Sequence, residues 1–228
     1  MVTPFTYRRY VNYDIGVPSV CQCWRGGAAG DGQGHMRRAE QREQTRHTLV
    51  RESRRLFATH GYGAVGLAQI VAAAGVTKGA LYHHFAGKAD VFRAVLELVQ
   101  QEVAAQVVAA AEAQHDPWAR LTAGCRAFLT ASTAPQVQRI MLVDGPAVLG
   151  WADWRALDEA ASAHHLAEAL TDLIAAGTIA AQPVTPLAHL LSGAMNEAAL
   201  WLATTTSPHA LEQTCTALTR LLEGLRIR

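Results

Sequence analysis

The sequence predicts an all-α protein of about nine helices, with a three-helix module in front of a larger helical body. Three observations carry this. Half of the 228 residues are hydrophobic, Ala dominates them, and Pro is sparse, which favours helix. From Arg37 onward apolar residues recur at helical spacing. No pair of segments reads as two strands joined by a turn.

Each element follows in order. Residues 45–60 place Leu49, Val50, Ser53, Leu56 and Phe57 on one face, with Arg46, Arg51, Arg54 and Arg55 largely elsewhere, and Gly61 suits the helix end. Residues 67–74 form a short helix ended by Gly75. Residues 77–85 form another, with Thr77 as N-cap. A break at Ala86-Gly87 leads into a long helix from about Lys88 to Gln114. Its stripe is Phe92, Val95, Val99, Val103 and Val107. Asp116 and Pro117 open the next helix, to about Thr130. A shorter one covers Pro135–Val143, and "DGPAVLG" at 144–150 reads as a break. Helices follow at about 153–176, at 186–205 and from Pro208 to about Leu225.

Residues 1–36 differ. They hold six Gly and two Pro and show no period. They read either as a disordered arm or as translated leader, with Met36 the true start. They contain no apolar stretch of signal-peptide length. The remaining chain divides into a module at 37–87 and a body at 88–228. No run of about 18 apolar residues occurs, so no membrane span or membrane partner is expected. Four Cys are too few for a disulfide framework, and Cys125 and Cys215 fall inside helical patterns, which predicts a reduced, cytoplasmic protein.

Charge is unevenly placed. Residues 37–93 carry ten Lys and Arg against four acids; residues 94–228 carry seven Arg against thirteen acids. A basic front on an acidic body points to a polyanionic partner for the front alone.

Two short helices joined at Gly75 have the dimensions of a helix-turn-helix. Ile70, Val71, Val76, Leu81 and Phe85 supply a shared core, while small Gly79 and Ala80 permit close approach. Thr77, Lys78, Tyr82 and His83 can donate to phosphates or base edges. "AGVTKGALYHHFAGKADVFRAVLE", preceded by "TRHTLVRESRRLFATHGY", closely resembles the DNA-binding domain of the TetR family of bacterial transcription regulators. The likeness spans about residues 45–97.

That resemblance implies a homodimeric regulator, usually a repressor, which leaves its double-stranded operator when a small molecule binds. Nucleophile and metal-ligand constellations are missing, so no cofactor, metal or enzymatic activity is expected; the alternatives are an activator, an effector-independent regulator, or a small helical enzyme using the C-terminal pocket. Thr77, Lys78 and Gly79 would then start the recognition helix, Tyr82, His83 and Lys88 would touch phosphates, and Arg46 would approach the neighbouring backbone or minor groove. His84 reads as a packed head residue. One departure stands at Val65-Gly66, where the family usually has Thr-Ser. Gly66 supplies no hydroxyl, which weakens backbone anchoring by about 1 kcal/mol per lost contact. Gly66→Ser is therefore expected to keep or tighten DNA binding in a gel shift.

Other patterns carry less. Gly61-x-Gly63-x-x-Gly66 follows a helix, so it is no dinucleotide loop. His164-His165 with Glu168 reads as a solvated surface group. Cys21, Cys23 and His35 lack a fourth metal ligand. In the body, Leu187, Leu191, Ala194, Ala198 and Trp201 repeat at four and three, as do Leu211, Cys215, Leu218, Leu222 and Leu225. These two seams read as a four-helix dimer interface. The wall of an effector pocket is expected from Phe128, Met141, Trp151, Trp154, Met195 and Trp201. His189, Asn196 and Glu197 would be its polar groups, with the 144–150 break as a kink beside it. The apolar surplus points to a hydrophobic or aromatic effector.

Overall fold

A computed structural model describes residues 31–227. The expectations for residues 1–30, including Cys21 and Cys23, lie outside these. Helix α1 spans Asp31–His60 and so starts six residues before the expected Arg37. Leu49, Val50, Ser53, Leu56 and Phe57 are all buried, as their spacing predicts. Helices α2 (Leu67–Ala74) and α3 (Lys78–His84) add Ile70 and Leu81 to the same core. Helix α4 (Lys88–Glu112) runs from this head into the body. Phe57, Tyr62 and Phe92 form a ring cluster at its start, with centroids 5.2–5.7 Å apart.

Contrary to the expectation that no segment is long and apolar enough to cross a membrane, α4 meets that test of length and composition. Its apolar residues have another use here. Val91, Phe92, Val95, Leu96, Val99 and Val103 are buried within the protein.

Helix α5 (Pro117–Ser132) packs along α4 as the second arm of a hairpin. Asp116 caps it by accepting from the Ala119 amide at 2.8 Å, with Pro117 in the first turn. Gly124 sets the approach of the two rods: a Cβ there would lie 3.4 Å from Val107 Cγ1. Next come α6 (Pro135–Gln138), a π-helical stretch Arg139–Asp144, and α7 (Gly145–Leu149), without interruption.

The expected break at 144–150 is therefore confined to Gly150, at φ +80°. Pro146 stands at the junction of the π-helical stretch and α7 without breaking the rod. Helix α8 (Trp151–Asp158), a second π-helical stretch (Glu159–Ala163) and α9 (His164–Ala175) form the next continuous rod. Helices α10 (Val184–Thr204) and α11 (Ala210–Glu223) complete the body. Among the described residues this makes nine uninterrupted helical runs and no strand, only an isolated bridge between Ile179 and Arg226.

Candidate nucleic-acid interface and internal cavity

The helix-turn-helix is built by its caps. Gly66 caps α2 with no side chain; its own N–H donates to Gln69 Oε1 at 2.7 Å. Gly75 closes α2 in the left-handed region at φ +66°, which only glycine adopts cheaply. Thr77 Oγ1 accepts from the Ala80 amide at 3.1 Å and starts α3. Leu81 faces inward, and Thr77, Lys78, Gly79, Tyr82 and His83 are all exposed on α3 and its cap. Lys78 Nζ lies 5.9 Å from the Tyr82 ring centroid. Gly79 has open space: the nearest atom to a Cβ there is Thr77 Oγ1 at 3.9 Å. Internal packing therefore does not require glycine at this position.

Arg46 and Lys88 behave differently from these residues. The Arg46 guanidinium lies over Phe85, 5.6 Å from the ring centroid. Lys88 was expected to reach a phosphate. Its ammonium donates to the carbonyls of Tyr62 (2.9 Å) and Val65 (3.0 Å) and sits 4.0 Å from the Tyr62 ring centroid. Of its three N–H donors, these two carbonyls take two. His84 is half-buried beside Phe85; burial, and then Arg42 and Arg46, hold its pKa below the ordinary value.

The head is tied to the body at several points. Tyr62 N–H donates to Asp144 Oδ2 at 2.9 Å. Arg139 Nη2 reaches the His60 carbonyl at 3.5 Å, over Gly61, whose φ is +79°. Arg54 pairs with Glu102 at 2.6 Å; within the body, Arg93 at the start of α4 pairs with Asp153 of α8.

Within the body lies a cavity of about 390 Å³, between α4, α5, α9, α10 and the second π-helical stretch. Phe128 and Met195, both expected in an effector pocket, line it. Met141, Trp151, Trp154, His189, Asn196, Glu197 and Trp201 do not. Met141 and Trp154 are buried together at the corner of α7 and α8, where Trp154 Nε1 donates to the Met141 carbonyl at 2.7 Å. Trp151 is exposed and stacks on Trp154. The 144–150 segment belongs to this corner and not to the cavity wall.

Val107, Leu121, Cys125 and His165 are lining residues the sequence reading missed. The available signal was Gly124-Cys125, small residues on an otherwise apolar helix face. Burial pushes the Cys125 thiol up to about 12, so it is a neutral, greasy surface. His165 stands 3.8 Å from Glu168 at the cavity edge; burial, then His164, lowers its pKa.

A polar knot adjoins the cavity. Arg155 Nη1 donates to Asp158 Oδ2 (2.7 Å) and Ser192 Oγ (3.0 Å), and its Nη2 lies 2.9 Å from His189 Nδ1. Ser192 belongs to both the knot and the cavity wall.

Most residues of the expected dimer seams are covered within the single chain, whereas Ala194 and Trp201 are exposed. Leu187, Leu191, Cys215, Leu218 and Leu222 are buried within the single chain, while Ala198, Leu211 and Leu225 pack half-buried against its core. The opposite faces are bare. Leu190, Gly193, Ala194, Glu197 and Trp201 share one exposed stripe of α10, and Ala217 and Leu221 one of α11.

Comparison with known proteins matches this geometry. The family model for bacterial regulatory proteins of the tetR family matches residues 49–95, and that for the tetracyclin repressor-like C-terminal domain matches 118–225. The HTH-type transcriptional regulator AcrR of Shigella flexneri is 36% identical over 64 residues, 28% of this chain and 30% of that protein. The HTH-type transcriptional activator FasR of Mycolicibacterium smegmatis is 33% identical over 87 residues, 38% of this chain and 40% of that protein. The matched region thus spans well under half the length of these curated relatives. A crystal structure of a TetR-family transcriptional regulator from Pectobacterium atrosepticum is 33% identical, with a TM-score of 0.71, covering 83% of this chain and 97% of that one. The chain belongs to the TetR family: it is a transcriptional regulator with a helix-turn-helix DNA-binding domain.

Proposed function

We propose that the protein is a homodimeric repressor whose two α3 helices enter successive major grooves of a near-palindromic operator, and that a small, largely apolar effector releases it. The exposed surface formed by Thr77, Lys78, Gly79, Tyr82 and His83 is the observation that carries the DNA reading. Lys78 and His83 attract phosphate, Tyr82 and Thr77 donate hydroxyls, and Gly79 lets the backbone come close. Arg46 lines the approach from α1, and Gly66 offers its helix N-terminus. Lys88 acts one step back, by fixing the turn that positions α2. In this reading residues 37–87 are the DNA-binding domain, and residues 88–228 bind effector and dimerise.

The effector site is the cavity bounded by Phe128, Met195, Leu121 and Val107, whose wall is mostly apolar. An occupant there acts on DNA only through its differential affinity for two dimer arrangements. Contacts that transmit it are at hand in Asp144–Tyr62 and Arg93–Asp153. The protein has no reaction of its own and works in the cytoplasm, on DNA and not on membranes.

The decisive experiment is fluorescence anisotropy of labelled DNA from immediately upstream of the gene, titrated at two salt concentrations. Tight, sequence-dependent, salt-sensitive binding is expected. Equal affinity for random DNA counts against this operator. The likeness to FasR, named an activator, favours a second reading in which the bound protein promotes transcription. A reporter behind that DNA separates the two: deleting the regulator raises expression for a repressor and lowers it for an activator.

A further inference from the structure

We propose that the cavity continues beyond Phe128 into a buried polar end formed by Gln100, Ser132 and Asn196, which takes the neutral hydrogen-bonding end of an otherwise apolar effector. This deepens the effector-site reading above and rests on it.

The observation is a set of orphaned atoms. Among the described residues, the buried side-chain polar atoms without a partner are Ser53 Oγ, both polar atoms of Gln100, Ser132 Oγ and Asn196 Oδ1. Apart from the serine of α1, they fall on three residues at least nine-tenths buried. Orphaned buried groups are costly, and native proteins keep few of them without a water, ligand or mechanism to meet them.

Their placement is not scattered. Gln100 stands seven residues before Val107, hence on the same face of α4 two turns away. Val107 packs against Gly124, and both line the cavity. Seven residues beyond Gly124 brings α5 to Ala131, beside Ser132, at the level of Gln100 across the hairpin. Ser132 is also one turn past Phe128, and Asn196 one turn past Ser192. Three helices thus carry cavity wall and, one turn away on α5 and α10 and two turns away on α4, orphaned polar groups.

The donor set defines the guest. Asn196 leaves its carbonyl oxygen as an unpartnered acceptor. Gln100 offers an amide NH2 with two donors and a carbonyl acceptor, and Ser132 a hydroxyl. None of the three is charged. The nearby cation, Arg155, is occupied by Asp158, Ser192 and His189. A carboxylate would meet the Asn196 carbonyl with nothing to neutralise it, and Glu112, Glu168 and Asp172 line the cavity against one arginine, Arg120. A hydroxyl or phenol, which both gives and takes a hydrogen bond, fits.

The test uses the full chain, without DNA, and three matched probes: 4-propylphenol, propylbenzene and 4-propylbenzoate. Calorimetric titration is expected to show the phenol binding about tenfold tighter than the hydrocarbon, with no binding of the benzoate. Gln100→Leu is expected to level phenol and hydrocarbon while raising the melting temperature of the free protein. Equal affinity of the wild type for phenol and hydrocarbon overturns the proposal. So does preference for the benzoate, absence of binding by all three, or a Gln100→Leu protein that keeps the preference. Circular dichroism checks that the variant folds; if it does not, Ser132→Ala, which removes one oxygen, carries the same comparison. A protein that binds operator but fails here loses only the polar end. One that shows the probe pattern but ignores operator loses the DNA reading and keeps the site.

Discussion

Lys88 and Lys78 illustrate how far a residue's chemistry depends on what its neighbours leave free. Lys88 spends its donors on the Tyr62 and Val65 carbonyls, whereas Lys78 is exposed beside Tyr82. Lys88→Met is therefore expected to lower unfolding free energy by about 2 kcal/mol in urea, because two carbonyls lose a charged donor. It is expected to leave the salt slope of operator binding unchanged. Lys78→Met is expected to do the reverse: stability within about 0.5 kcal/mol of wild type, and a log–log salt slope lower by about two, one phosphate contact per copy. A reduced slope for Lys88→Met would return that residue to the DNA surface. Asp158 yields a pH prediction. Burial pushes its carboxyl above the ordinary range, against the pull of Arg155, Asn196 and Ser192. The folded state therefore binds this proton more tightly than the unfolded state, and stability is lost as pH rises through the interval between the two values. Asp158→Asn lacks this loss. The stability difference between variant and wild type is expected to move in the variant's favour as pH rises above the ordinary carboxylate range in urea unfolding; a constant difference would rule it out.

At the scale of elements, the helices were legible because their apolar residues and caps repeat at the right spacing. Asp116-Pro117, Thr77 and Gly75 mark ends that the structure keeps. The 144–150 segment was not legible. Gly and Pro are read as breakers, yet Gly145 is helical because Trp154 needs the space. A Cβ at Gly145 would stand 2.8 Å from Trp154 Cδ1 and 3.2 Å from the Ile140 carbonyl. Trp154 is fixed in turn by its bond to Met141. Gly145→Ala is expected to cost about 1–3 kcal/mol, seen as a lower melting temperature and an altered tryptophan emission, because neither neighbour is the free end of a flexible chain. An unchanged melting temperature would mean the α7–α8 corner yields easily. The π-helical stretches were beyond sequence reading, since one extra residue per turn leaves no mark in a three-and-four pattern. The cavity was half legible for a similar reason. Spacing identifies buried residues such as Met141 and Trp154, but burial alone does not separate a wall from solid core.

At the scale of the whole molecule, the same limit decided the dimer interface. A heptad seam says that a face is covered, not whether the cover is the same chain or another. Here the leucines at Leu187, Leu191, Leu218 and Leu222 are covered by their own chain. What stays bare is the face one position on: Leu190 at 72%, Leu221 at 64% and Trp201 at 49% exposure, with Gly193, Ala194 and Ala217 between them. Large apolar side chains left bare on two helices, with small residues that allow close approach, suit a self-complementary two-fold contact. In the proposed dimer, two acidic bodies would meet where charge is sparse, and this face carries Glu197 and Arg220 among otherwise neutral or apolar residues. Leu221→Glu is therefore expected to give a monomer in sedimentation velocity, with its helix content intact by circular dichroism. In the proposed reading one head alone holds only a half-site, so the variant is expected to lose about a hundredfold or more in operator affinity while its remaining binding keeps half the salt slope. Leu218→Ala, on the inner face, is expected to lower the melting temperature and leave the dimer in place. Should Leu221→Glu remain dimeric and Leu218→Ala dissociate, the inward seam would be the interface after all, and the chain would have to open α11 to form it.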